Sequence, residues 1–180
     1  MKALLIIDMK VGLFKANSTR HDSANIIERI NELSSYFRNA SQKVIFIQHD
    51  GTNEAYLIPG TDNWNIVPGL LKGNDDIVVS KTANDSFYKS ALQKILEKYE
   101  VNELFITGCA TDFCVDATIK SALSKDYKVT VVEDAHITAA RPFADAQTLI
   151  NHYNWMWADM AACKYKISLV KAKEIAMAFV

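Results

Sequence analysis

An α/β fold, a three-layer α/β/α sandwich on a five- or six-stranded, mostly parallel, Rossmann-like sheet, is what this sequence predicts. Three observations lead there. Short apolar runs recur that are too continuous for half-exposed strands, segments of helical periodicity separate them, and no repeat or Gly/Ser/Pro linker breaks the alternation. The first run is Ala3-Leu4-Leu5-Ile6-Ile7, closed by Asp8. Strands covered by helices on both faces read as unbroken apolar runs, because neither face can stay polar. Val44–Ile47, Ile77–Val79, Leu104–Ile106 and Val129–Val132 repeat the pattern, and Ile167–Val170 is a weaker sixth. Between them, Ile26, Ile30, Leu33 and Phe37 fall at helical spacing after Asp22, which reads as a cap. Phe87, Ala91, Leu92, Ile95 and Leu96 do the same after Asp85. A third helix is expected from about Asp112, carrying Val115, Ile119 and Leu123, and a fourth from Ala146 to Trp157. His49 to Asp75, with Pro59-Gly60 and Pro68-Gly69, reads instead as one long ordered loop, a segment type that tends to be functional.

Bulk properties narrow the function. The 180 residues are 49% hydrophobic, enough for a single domain over 1–180 to bury a continuous core without staples. A formal net charge of −1 leaves no basic footprint for nucleic acid or an acidic membrane surface. No apolar stretch approaches the roughly 20 residues a spanning helix needs, and the opening run meets Asp8 and Lys10 with no cleavage-site pattern, so a cytoplasmic location is expected. Cys109, Cys114 and Cys163 form neither a CxxC pair nor a zinc spacing, so each is a small packed residue or a reactive thiol.

In an open parallel sheet, ligands sit beyond the carboxyl ends of the strands. Asp8 ends the first strand, Lys81 follows the Ile77–Val79 run, and Cys114 lies just past the Leu104 run in Gly108-Cys109-Ala110-Thr111-Asp112-Phe113-Cys114. The topology therefore puts a thiol, a carboxylate and an ammonium on one edge. A cysteine in the first turn of a helix gains from the dipole and free N–H groups, which favour a thiolate. Asp8 is placed to take the thiol proton and return it to a leaving amine, and Lys81 to keep the two anions compatible. The peptide N–H groups of Ala110 and Cys114 can share one concavity as an oxyanion hole. Packing is the expected role of Cys109 and Cys163. No Gly-x-Gly-x-x-Gly turn follows the first strand, which argues against nucleotide binding.

The segments Leu4-Leu5-Ile6-Ile7-Asp8-Met9, Val79-Ser80-Lys81 with Ser86-Phe87, Gly108 through Thr118, and Val132-Glu133-Asp134-Ala135 together resemble the isochorismatase-like cysteine hydrolase superfamily nearly end to end. That resemblance implies a catalytic triad of Asp8, Lys81 and Cys114, a cis peptide between Cys109 and Ala110, and hydrolysis of a small amide or ureido substrate through a thioester. It also implies a homo-oligomer, for which the Tyr153, Trp155, Trp157 cluster offers interface surface. Isochorismatases proper cleave a vinyl ether without a nucleophilic cysteine, so Cys114 favours C–N chemistry; vinyl ether hydrolysis and a catalytically silent ligand-binding member of the fold are the alternatives. Nicotinamidases carry an Asp-x-His metal motif. Here the equivalent stretch reads Gln48-His49-Asp50-Gly51, and His21, His136 and His152 lie elsewhere, so neither metal nor other cofactor is expected. Candidate substrate-binding residues are Phe14, His49, Trp64, Phe87 and Phe113, with loop anchoring or core packing the alternative for each.

Overall fold

The computed structural model describes residues 1–15 and 20–177. Six parallel strands form one sheet: β1 (Lys2–Ile7), β2 (Lys43–His49), β3 (Ile77–Lys81), β4 (Glu103–Cys109), β5 (Lys128–Ile137) and β6 (Ser168–Val170), in the spatial order β3-β2-β1-β4-β5-β6. The winding reverses between β1 and β4, which opens a crevice beyond their carboxyl ends.

The apolar runs are continuous because successive side chains of a strand enter different cores. Ala3, Leu5 and Ile7 of β1 pack with Leu92, Leu96, Ile119 and Trp157 on one face; Leu4 and Ile6 pack with Ile26, Ile30, Phe37 and Ile175 on the other. Helices α1 (Ser23–Asn39) and α5 (Ala172–Met177) cover the second face. Helices α2 (Leu92–Lys98), α3 (Asp116–Ser124) and α4 (Ala146–Asp159) cover the first, completing the three layers.

Three local expectations are corrected. Asp22 does not cap α1 through its side chain; it sits in the left-handed region (φ 56°) and its carboxylate pairs with Arg29 at 3.0 Å. The second helix begins at Leu92, not near Phe87: the Asp85 side chain caps the Phe87 N–H at 2.8 Å, and the buried Ser86 hydroxyl bonds Thr118 at 2.8 Å, so local turns replace the first helical turns. Trp157, expected at an interface, is fully buried, its indole N–H donating to Asp116 at 3.0 Å; Trp155 is exposed. No helix among the described residues is long and apolar enough to cross a membrane.

Past His49, which ends β2, residues 50–75 form no further strand; they hold short 3-10 turns at Thr52–Glu54 and Asp62–Trp64 and an isolated antiparallel bridge from Ile66 to Lys10. They are tied down by the segment that follows β1. The Val67 N–H donates to the Met9 carbonyl at 3.0 Å, the Val11 N–H to the Asn65 carbonyl at 2.9 Å, and the Tyr56 hydroxyl to the Gly12 carbonyl.

Candidate active site

Five strand ends supply the site: Asp8 from β1, His49 from β2, Lys81 from β3, the Cys109–Val115 turn from β4, and Arg141 just past β5. Close approach of β1 and β4 makes this possible. Gly108 pairs with Ile7, has φ +111°, and presses so closely that a Cβ there would collide with the Ile7 backbone. The Cys109–Ala110 peptide that follows is cis. Residues Thr111–Val115 then form a π-helical turn before α3 begins, and the Ala110 carbonyl accepts the N–H groups of both Phe113 (3.0 Å) and Val115 (3.1 Å). Cys114 therefore rides on an irregular turn rather than on the first turn of a regular α-helix.

Lys81 is the hub. Its fully buried ammonium lies 2.8 Å from Asp8 Oδ2 and 3.2 Å from Cys114 Sγ, and donates to the Ala83 carbonyl at 2.8 Å, which accounts for its three protons. Burial alone would lower the Lys81 pKa; Asp8 and Cys114 outweigh it and raise it. Asp8 Oδ1 accepts the His49 N–H at 2.7 Å. Beyond its 2.8 Å contact with Lys81, the buried Asp8 Oδ2 has no hydrogen-bond partner among the described residues. The Cys114 thiol also reaches Asn84 Oδ1 at 3.6 Å.

These surroundings reverse one expectation. Burial, and then the Asp8 charge, push the Cys114 thiol up to about 12 against the opposing pull of Lys81, so the resting sulfur carries its proton. Cys109 is also pushed up to about 12, in its case by complete burial. The Cys114 turn is braced from behind. The buried Thr111 hydroxyl meets His136 Nδ1 at 2.9 Å, His136 Nε2 meets Asn154 Oδ1 at 2.9 Å, and the Asn154 amide donates to the Glu133 carbonyl at 3.0 Å. Burial lowers His136 to about 4, which keeps the ring neutral in this chain of bonds. Asp112, next along the turn, accepts Thr138 at 2.6 Å and Arg141 at 2.6 and 3.1 Å. Burial would raise its pKa, but these bonds hold it below the usual carboxylate range.

Asp8, Cys114 and Ala110 open onto a cavity of about 240 Å³. Leu13, Leu57 and Phe113 give it apolar walls, and Arg20, His49, Asn84 and Arg141 give it polar ones.

A protein-family model, the isochorismatase domain, matches residues 2–163. The chain belongs to the isochorismatase family. Within it, streptothricin hydrolase of Streptomyces noursei is 30% identical over 144 residues, covering 80% of this chain and 52% of that protein; this chain spans about half its length. Ureidoacrylate amidohydrolase RutB of Stutzerimonas stutzeri is 26% identical over 217 residues, covering 98% of this chain and 86% of the other. The crystal structure of an isochorismatase family protein superposes with a TM-score of 0.87 at 26% identity, covering 94% of this chain and 98% of that one.

Against this isochorismatase-family frame, the residues named from sequence separate into two groups. Asp8, Lys81, Cys114, Ala110, His49 and Phe113 meet at or beside the cavity. Phe113 is 48% exposed with the Arg141 guanidinium 4.8 Å from its ring centre. His49 lies 3.3 Å from Glu54 through Nε2, and its Nδ1 has no partner among the described residues. The other three aromatics do not join them. Phe87 is a core residue stacked on Tyr127 at 5.8 Å, drawn inward by the turn that displaced the helix start. Trp64 packs beside the buried Lys10, whose ammonium lies 5.0 Å from the ring centre and donates to the His49 carbonyl. Phe14 packs on the α1-side core. Sequence reasoning passed over Arg20, Asn84, Leu57 and Arg141. The strand-end rule applied to β5 would have found Arg141; the others depend on loop conformation. Among the described residues no cluster of three His, Cys, Asp or Glu side chains is arranged to hold a metal ion.

Proposed function

We propose that this protein hydrolyses a small amide or ureido substrate, with Cys114 as nucleophile, Asp8 as proton carrier and Lys81 as the charge that holds them together. The observation that carries the reading is the buried Lys81 ammonium lying 2.8 Å from Asp8 Oδ2 and 3.2 Å from Cys114 Sγ, two side chains that line one small cavity. Membership of a family that includes an amidohydrolase acting on ureidoacrylate supports the C–N bond as target.

Because the thiol rests protonated, attack and proton transfer are coupled. Sulfur bonds to the substrate carbonyl carbon as the thiol proton moves to Asp8, and the carbonyl oxygen becomes an oxyanion received by the N–H groups of Ala110 and Cys114. Collapse breaks the C–N bond, and the departing nitrogen takes the proton from Asp8. Water then gives a proton to Asp8 and adds to the thioester; the C–S bond breaks and the proton returns to sulfur. Lys81 stays protonated throughout, so whichever of Asp8 or Cys114 is anionic keeps a partner. His49 and Asn84 orient the amide at the cavity wall.

The test is ammonia or amine release from a panel of carboxamides and ureido acids, with the acyl-enzyme trapped by acid quench and weighed by mass spectrometry. The expected result is an adduct on Cys114 and loss of turnover on the order of 10⁴-fold in Cys114→Ala. Turnover retained in that variant, or an adduct on a different residue, contradicts the reading.

A further inference from the structure

The cavity contains a charge that the proposed chemistry does not use. Of the four arginines in the chain, three hold carboxylates: Arg29 pairs with Asp22 and Asp134, Arg38 with Asp76, and Arg141 with Asp112. Arg20 has no such partner among the described residues. Its Nε donates to the Leu13 carbonyl at 2.7 Å, which fixes the side chain, while its Nη1 is buried without any hydrogen-bond partner among the described residues. Its backbone is held too, by an antiparallel bridge to Ala139, two residues before Arg141. A buried guanidinium N–H left unpaired is costly, and a fixed, planar donor set of this kind matches the two oxygens of a carboxylate.

The rest of the cavity agrees in sign. The Asp8 charge is matched by Lys81 and that of Arg141 by Asp112, which leaves Arg20 as the uncompensated charge among the described ionised groups of the wall. Leu13, Leu57 and Phe113 form the apolar surface between, wide enough for a few carbon atoms within about 240 Å³. A neutral substrate would leave Arg20 unsatisfied, and a cationic one would be repelled.

We infer that the substrate carries a carboxylate bound by Arg20, so that the enzyme takes short amido or ureido acids with the scissile carbonyl at Cys114 and the acid group at Arg20. This rests on the amide-hydrolase reading for the position of the scissile group. The anion site itself is testable without turnover.

The experiment measures binding of succinamate, and of its neutral counterpart succinamide, to full-length Cys114→Ala protein by titration calorimetry, alongside turnover of both by the wild type. Succinamate is expected to bind at least tenfold more tightly than succinamide, with an advantage that shrinks as ionic strength rises. Arg20→Met is expected to erase that advantage and Arg20→Lys to retain part of it, which separates loss of charge from local misfolding. Equal binding of the two compounds, or an advantage that survives Arg20→Met, overturns the inference while leaving amide hydrolysis intact. Preferential binding of succinamate with no wild-type turnover of any amide leaves the anion site standing and removes the hydrolase reading instead.

Discussion

The inner and outer halves of the cavity are built on opposite plans. In the inner half, Asp8, Lys81 and Cys114 are locked together: both charges are buried, and each of the three Lys81 protons has a destination. The outer half is made of Arg20, Leu57, Phe113 and His49, side chains from loops or strand ends that keep a half-exposed ring and, among the described residues, an unpartnered guanidinium nitrogen and imidazole nitrogen. The difference separates two jobs. Chemistry needs groups whose geometry does not change when substrate arrives, whereas recognition needs groups whose hydrogen-bonding capacity is still unspent.

The strongest way to break this division is through Asp8. In Asp8→Asn, kcat should fall on the order of 10³-fold for lack of a proton carrier, yet the thiol should ionise more easily. Asp8 raises the Cys114 pKa, so removing its charge leaves Lys81 acting alone in the downward direction. The pH profile of iodoacetamide labelling, followed by intact mass in a Cys163→Ser background, should therefore shift to lower pH than that of the wild type. An unchanged or upward-shifted profile would show that the inner half is not electrostatically coupled. Next in size, Lys81→Met strands a buried carboxylate and should cost about 3 to 5 kcal/mol of folding stability, read by denaturant unfolding; a change under 1 kcal/mol would mean that Asp8 is hydrated.

The brace behind the turn gives a pH signature. His136 is held neutral down to about 4, against an ordinary value of 6.5. Protons therefore favour the unfolded chain in that window: the stabilisation is complete above pH 6.5 and is lost as the pH falls towards 4. It amounts to roughly 3 kcal/mol. Thermal melts across this range should converge for wild type and His136→Gln as the pH drops; parallel curves would mean that His136 is not buried neutral. The smallest effect belongs to the outer half, where Phe113→Ala should raise KM severalfold, on the order of 1 kcal/mol, with little change in kcat. A kcat loss comparable to that of Asp8→Asn would erase the distinction between the halves.

The same contrast explains what could be read from the sequence. Strands β1, β2, β4 and β5 were visible because each is an apolar run serving two cores, and Asp8, Lys81 and Cys114 were visible because they terminate or closely follow apolar runs. Arg20, Leu57 and Asn84 reach the cavity only through turns, and nothing in their local spacing announces it. Phe87 was misplaced for a related reason: its helical spacing to Ala91 and Ile95 is genuine, but Asp85, Ser86 and Thr118 form side-chain bonds that outcompete the first helical turns. The protonation state of Cys114 was misjudged because a dipole argument counts only the helix. The larger influences, burial and the Asp8 charge, come from how β1, β3 and β4 are brought together.

Gly108 has a consequence that reaches beyond its own position. Since no side chain stands between β4 and the Ile7 backbone, main-chain contact sets the spacing of the two strands that deliver Asp8 and the Cys109–Ala110 turn. The loops around the rim can therefore be rebuilt to suit a different ligand without shifting the gap between carboxylate and sulfur. A single methyl group at 108 would pry Asp8 and Cys114 apart while leaving both present.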